Sequence, residues 1–176
     1  LKINMKVLLS VKNKKKSEYP IGVFDSGLGG LTVLQCLEKK LPKESFIYFG
    51  DTAHVPYGNK SAKTIIRYSE NIINFFLENK IKAVVIACNT ASAIAYPELS
   101  KKYNLPIFNV VDPSVIHSDT ISKTRNICII GTQSTINSKA YSKSFSNINS
   151  DCTITEIACP LFVPIIEEGW SDSSIA

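Results

Sequence analysis

The chain of 176 residues has only two histidines, and its five cysteines include no C-x-x-C pair. Neither histidine has a cysteine or another histidine at ligand spacing, so no metal site is expected. An odd number of cysteines argues against a complete disulfide framework, and a reducing cytoplasm is the natural compartment. No apolar run approaches the ~20 residues of a membrane span, and the apolar stretch at 7–9 is too short for a secretory signal.

The positive charge is concentrated near the beginning of the chain. The formal net charge is +5, and six lysines stand at positions 2, 6, 12, 14, 15 and 16. Because the remainder is close to neutral, the charge does not predict a nucleic-acid-binding surface. We expect residues 1–19 to form a solvated, disordered arm, and we expect neither nucleic acid nor a membrane as a partner.

Apolar runs alternate with helical patterns along the rest of the sequence. The runs predict strands at 21–24, 46–49, 83–87, 107–111, 127–130 and 153–157. Apolar residues at three- and four-residue spacing predict helices after the first strand and over 61–80, and Pro97 predicts a kinked or restarted helix. This alternation is typical of an α/β fold with mainly parallel sheets and helices on their faces.

Small, hydroxylic and acidic residues follow the predicted strands. The segments are DSGLGG (25–30), GDTAHVPYG (50–58), CNT (88–90), DPS (112–114) and GTQST (131–135). In open parallel sheets ligands bind beyond the carboxyl ends of the strands, so these segments predict a binding site. The change near 111–114 predicts a boundary, with a first α/β lobe at 20–112 and an incomplete second lobe at 113–176.

The glycine loop after the first strand invites a dinucleotide-binding interpretation. Gly27 and Gly29 fit G-x-G, but the third glycine position falls on Thr32, and Asp25 would repel a pyrophosphate. A simple turn that needs glycine explains the glycines but not the acid. We favour a loop that places Asp25 and Ser26 beside a small zwitterion.

Cys88 stands where a buried strand ends and a helix begins. A thiol at a helix N-terminus tends toward the thiolate, and Asn89 and Thr90 offer hydrogen-bond partners. Cys36 and Cys128 are instead expected to be small buried hydrophobes. Tyr57 and Gly58 form either a plain turn or a carboxylate site built from their backbone N–H groups and the phenol.

Five motifs carry a resemblance to a known family. DSGLGG, GDTAHVPYG, ACNTASA, GTQSTINSKAY and ACPLFVPIIEEG, in this order over 20–169, closely resemble the glutamate racemases of the aspartate/glutamate racemase superfamily. The resemblance implies two Rossmann-like or flavodoxin-like lobes with the active site between them. It also implies cofactor-independent interconversion of L- and D-glutamate in the cytoplasm, which supplies peptidoglycan biosynthesis and cell shape, with glutamate and a second copy in a homodimer as partners.

The same resemblance assigns roles by position. Cys88 becomes a catalytic acid/base assisted by Asp25, with no cofactor and no metal. The residues implied to line the substrate site are Asp25, Ser26, Tyr57, Gly58, Asn89 and Thr90, and those implied to be supporting acids are Asp51 and Glu167.

The resemblance stops before the family's second catalytic cysteine, which lies in a Gly-Cys-Thr-His segment beyond the Glu167 region. These 176 residues do not contain that segment. We therefore expect the C-terminal part of the fold to be missing and the chain to hold one half of a two-base apparatus. Two alternatives stay open, namely an inactive, amino-acid-binding α/β module and a one-cysteine proton-transfer enzyme like related decarboxylases.

Overall fold

The computed structural model describes residues 16–170, 172 and 173. Most of the predicted arm therefore lies outside the described residues, and Lys16–Glu18 form a 3₁₀ turn. The strands are β1 (Ile21–Asp25), β2 (Phe46–Gly50), β3 (Ala83–Ile86), β4 (Ile107–Asn109), β5 (Asn126–Gly131) and β6 (Thr153–Ala158). The α-helices are α1 (Leu31–Lys40), α2 (Ala62–Glu78), α3 (Asn89–Ile94), α4 (Tyr96–Lys102), α5 (Val111–Ile121), α6 (Gln133–Ser138), α7 (Ala140–Asn147) and α8 (Phe162–Glu167).

The first four strands form a parallel sheet in the order β2-β1-β3-β4. The register pairs Asp25 with Gly50, and Phe24 with Ile86. Because these strands run in one direction, the segments that follow β1, β2 and β3 meet at a single edge. The predicted strand and helix alternation is confirmed here, including the restart of the helix at Tyr96, next to Pro97.

Helix α2 supplies the main core beneath this sheet. Ser61 caps it by accepting a hydrogen bond from the Thr64 amide at 3.2 Å, as expected of a serine at an N-cap. Ile65, Ile73 and Phe76 are fully buried against the sheet, and burial of each such side chain stabilises the fold by about 1.5–3 kcal/mol. The edge of the sheet that carries the site therefore has a rigid support.

Strands β5 and β6 form a second, two-stranded parallel sheet. Side chains alternate along both strands, so one face packs on α5 and α7 while Ile130 and Ile157 are exposed on the other. Cys128 also lies on the exposed face, and Cys36 is exposed on α1. The prediction that these two cysteines are buried is wrong, because neighbouring elements cover neither one.

The chain passes from β4 into α5 earlier than predicted. β4 ends at Asn109, whose Oδ1 accepts hydrogen bonds from the amides of Val111 and Asp112 at 2.9 Å each. This cap lets the helix begin at Val111, with Pro113 in its first turn, where proline is tolerated. The predicted lobe boundary between 112 and 113 falls inside α5, and the division into lobes stays a prediction. Among the described helices, none combines the length and the apolarity that crossing a bilayer requires.

Candidate active site

A cavity of about 400 Å³ opens between the carboxyl edge of the first sheet and the beginning of α6. Its wall includes most of the residues that the sequence singled out. From the first sheet these are Asp25, Ser26, Tyr57, Gly58, Cys88, Asn89 and Thr90, and Glu167 of α8 joins them. Asp51 is not part of the wall, although it contacts a residue that is.

Cys88 is the N-cap of α3, and its residue surface is 5% exposed. Its Sγ accepts a hydrogen bond from the Ala91 amide at 3.4 Å, and the thiol donates to Ser26 Oγ at 3.4 Å. Burial, followed by the charge of Asp25, raises the pKa of the Cys88 thiol above its ordinary 9.0, and the hydrogen bonds with Ser26 and Ala91 only partly oppose this. The predicted tendency toward thiolate is therefore wrong, because desolvation outweighs the helix N-terminus.

The glycine loop wraps around Asp25. Its Oδ2 accepts hydrogen bonds from the amides of Gly27 at 3.1 Å and Gly30 at 3.0 Å. A Cβ on Gly30 would lie 2.5 Å from the Asp25 Cβ, so only glycine permits this close approach. Since these two amides are engaged by the carboxylate, the loop does not offer them to a phosphate.

Negative charge gathers on one side of the cavity. The Glu167 side chain reaches over the glycine loop, where its Oε1 lies 3.5 Å from the Leu28 amide. Tyr48 donates its hydroxyl proton to the Gly27 carbonyl at 3.2 Å. Burial, and then the charges of Asp25, Glu167 and Cys88, raise the pKa of Tyr48. This side of the cavity therefore favours a cation.

Tyr57 meets Asp51 immediately behind the cavity wall. Its hydroxyl donates to Asp51 Oδ2 at 2.6 Å, and burial together with this bond raises the pKa of Tyr57. Of the two interpretations of this segment, a plain turn or a carboxylate site, the second needs the phenol as a donor, and the hydroxyl proton of Tyr57 is already donated to Asp51. Within the turn Tyr57–Asn59, both Tyr57 and Gly58 line the cavity.

Hydroxyl groups from α6 and α7 complete the opposite wall. Thr90 Oγ1 lies 3.0 Å from Thr132 Oγ1 and 3.3 Å from Thr135 Oγ1. Tyr141 donates its hydroxyl proton to Asn89 Oδ1 at 2.6 Å. Thr132, Thr135 and Tyr141 were not among the individual site residues expected from the sequence. The position of GTQST after β5 was the available signal, but only the packing of the two sheets brings it to Thr90.

The fold and the site together define a class of protein. A buried thiol and a carboxylate share a cleft at the ends of parallel strands, with hydroxyl donors on the facing wall, and such a site is suited to proton transfer on a small charged molecule.

Within the described residues, one group has metal-ligating atoms close together, namely Asp119, Asp151 and Cys152. It pairs with Arg125 and does not line the cleft.

The chain belongs to the Asp/Glu/Hydantoin racemase family, which matches residues 21–174. The glutamate racemase of Geobacter metallireducens is 47% identical over 156 residues, covering 89% of this chain and 58% of the relative. That of Sulfurihydrogenibium is 46% identical over 158 residues, covering 89% and 61%. The family resemblance seen in the sequence is therefore confirmed.

Solved structures show the same fold. Glutamate racemase from Thermus thermophilus, in complex with β-chloro-D-alanine, matches with a TM-score of 0.78 at 45% identity, over 92% of this chain and 59% of the other. The Francisella tularensis enzyme, in complex with D-glutamate, matches with a TM-score of 0.82 at 40% identity, over 90% and 59%. These matches confirm the predicted α/β fold with parallel sheets. The chain spans about three fifths of the length of these relatives.

Proposed function

We propose that the cleft binds glutamate and that Cys88 exchanges a proton with its α-carbon. This is one half of a cofactor-independent interconversion of L- and D-glutamate. The observation that carries the proposal is the position of the Cys88 thiol in the cavity wall. The thiol donates a hydrogen bond to Ser26, and the charge of Asp25 is close enough to raise its pKa.

Charge supports one orientation of the amino acid. The α-ammonium group faces the side of the cavity that holds Asp25 and Glu167, where opposite charges attract. The α-carboxylate faces the hydroxyls of Thr90 and Thr132 and the amides of the first two residues of α3, which have no intrahelical partner. In this orientation the α-carbon lies between the two walls.

The substrate itself opposes one of the two causes of the raised pKa of Cys88, the charge of Asp25, while burial, the larger cause, remains. An ammonium cation beside Asp25 compensates the negative charge that disfavours the thiolate, so deprotonation of Cys88 becomes easier when the amino acid is bound. The thiol first loses its proton to solvent water, and the resulting thiolate then removes the α-proton of glutamate. The C–H bond breaks, an S–H bond forms, and the electron pair is delocalised into the carboxylate, where fixed donors stabilise it.

The face on which the proton returns decides the product. Return from Cys88 regenerates the starting enantiomer, whereas return from the opposite face inverts the α-carbon. Inversion therefore needs a second acid or base across from Cys88, the role that the resemblance gives to the family's second cysteine. In a complete reaction, we propose, the product D-glutamate supplies cytoplasmic peptidoglycan biosynthesis, with a homodimer as the assembly. The names of the relatives and the D-glutamate in the Francisella tularensis structure support this substrate.

An exchange experiment tests the proposal. The purified chain is incubated with L-glutamate in deuterated water, and NMR follows loss of the α-proton signal while circular dichroism follows inversion. We expect exchange in the wild type, none in Cys88→Ala, and wild-type exchange in Cys36→Ala, whose thiol is exposed.

The outcomes separate the candidate functions. Exchange without inversion indicates a single working base, and exchange with inversion indicates that a second base is present in the purified protein. Glutamate binding without exchange would favour the amino-acid-binding module. Absence of both binding and exchange would refute the proposal.

A further inference from the structure

We propose that His54 is a positioning residue, which holds the Tyr57–Asn59 turn in place through the carboxylate of Asp51. His54 does not line the cavity, and 45% of its side chain is exposed. It therefore acts on the cleft only through its neighbours. This inference rests on the proposed function, because it concerns the wall against which glutamate is held.

A continuous hydrogen-bonded chain leads from His54 to that wall. His54 Nδ1 lies 2.7 Å from Asp51 Oδ1 and 3.0 Å from Oδ2. The Asp51 side chain is 9% exposed, and its Oδ2 also accepts the Tyr57 hydroxyl proton at 2.6 Å. A carboxylate with two side-chain donors has little freedom to rotate, so a donor at His54 fixes the oxygen that Tyr57 needs.

The His54 ring is itself held in one orientation. It stacks on Tyr68 of α2 with ring centroids 4.1 Å apart and an angle of 29° between the planes. The His54 amide also donates to the Asp51 carbonyl at 3.0 Å. The guanidinium of Arg67, the residue before Tyr68, lies 5.3 Å from the Tyr68 ring centroid. Helix α2, which belongs to the rigid core, thus aims Nδ1 at Asp51.

The far end of this chain touches the opposite wall. The Tyr57 side chain is fully buried, and the next residue, Gly58, accepts a hydrogen bond from Ser134 Oγ at 2.8 Å. Movement of Tyr57 therefore shifts Gly58 against α6 and alters the width of the cleft. The expected consequence is weaker glutamate binding, with proton transfer in the bound complex changed much less.

Two variants distinguish the contribution of the His54 hydrogen-bond donor from that of its stacked ring. His54→Phe keeps an aromatic ring on Tyr68 but has no donor, whereas His54→Asn places an amide donor near the Nδ1 position but has no ring. We expect roughly tenfold weaker glutamate binding by calorimetry for His54→Phe, and binding within about twofold of wild type for His54→Asn. Exchange at saturating glutamate should stay close to wild type in both.

A double-mutant cycle tests the route of the effect. If His54 acts through Tyr57, then His54→Phe should weaken binding much less in a Tyr57→Phe background than in the wild type. Full additivity of the two losses would overturn the proposal. So would a His54→Asn variant as weak as His54→Phe, because the ring rather than the donor would then be responsible.

A second measurement does not depend on glutamate. In a chain labelled with ¹³C-tyrosine, the Cζ resonance of Tyr57 reports its hydrogen bond to Asp51. It should move in His54→Phe and stay near the wild-type position in His54→Asn, and an unmoved resonance in His54→Phe would refute the positioning role. If the wild type binds no glutamate, the proposed function fails while this resonance still decides on His54. Should His54→Phe not fold, His54→Ala, which also lacks the donor, takes its place.

Discussion

Replacing Gly58 by alanine tests the close approach between the two walls of the cleft. A Cβ on Gly58 would lie 2.4 Å from Thr132 Cβ and 2.5 Å from Thr132 Cγ2. Carbon atoms in contact stay about 3.5–4.0 Å apart, so one wall must retreat by about 1 Å. Thr132 cannot yield easily, because its Oγ1 caps α6 by accepting from the Thr135 amide.

The size of the effect follows from this overlap. Overpacking by one methyl group costs about 1–3 kcal/mol. For a chain of this length each kcal/mol lowers the melting temperature by about 2–4 °C, so thermal unfolding followed by circular dichroism should show a loss of about 2–12 °C. Glutamate binding, measured by calorimetry, should weaken in the same variant because the turn moves away from α6.

Gly29→Ala is the matched control. Gly29 also lines the cavity, but the nearest atom to its added Cβ is Asp25 Oδ2 at 3.8 Å, an ordinary contact. Neither Gly29 nor Gly58 has a positive φ, so backbone strain affects neither variant. Thr132→Ser removes Cγ2 but keeps the closer Cβ, so it should recover only a small part of the loss caused by Gly58→Ala. If Gly58→Ala melts at the wild-type temperature, or no lower than Gly29→Ala, the reasoning is refuted.

Three further predictions follow from the cysteines and the contact between the walls. Cys88→Ala should abolish α-proton exchange, whereas Cys128→Ala should retain it. Because the Cys128 thiol is exposed, Cys128→Ala should shift the free energy of unfolding by no more than about 0.5 kcal/mol. A larger shift in a urea titration would contradict this prediction. The pKa of Cys88 is raised in the folded chain, so the thiol of the unfolded chain ionises at a lower pH. The free energy of unfolding should therefore fall as pH rises above about 8.5. Urea titrations at about pH 7.5 and about pH 9.5 should show a smaller fall in Cys88→Ala than in the wild type. Ser134→Ala removes the donor to the Gly58 carbonyl and should cost about 1 kcal/mol, measured by thermal unfolding, together with a weaker affinity for glutamate.

The strand and helix pattern was predictable from the sequence, and so was the grouping of several candidate site residues at one edge of the sheet, while their roles stay predictions. Strand and helix patterns are local, since they depend on side-chain period and on capping residues a few positions apart. Cys88 illustrates this, because the change from an apolar run to Asn89 and Thr90 marks both the end of β3 and the start of α3. The parallel sheet then brings Asp25, Asp51 and Cys88 to one edge, which the order of motifs also predicts.

Only the tertiary structure decided the environment of those residues. The pKa of Cys88 depends on burial and on groups such as Ser26, which is 62 positions away in the chain. The burial of Cys128 depends on whether another element covers one face of β5, and the contact between Thr90 and Thr132 depends on how two sheets pack. Desolvation and charge act through space, so a pattern of neighbouring residues carries the position of the thiol but not the direction of its pKa shift.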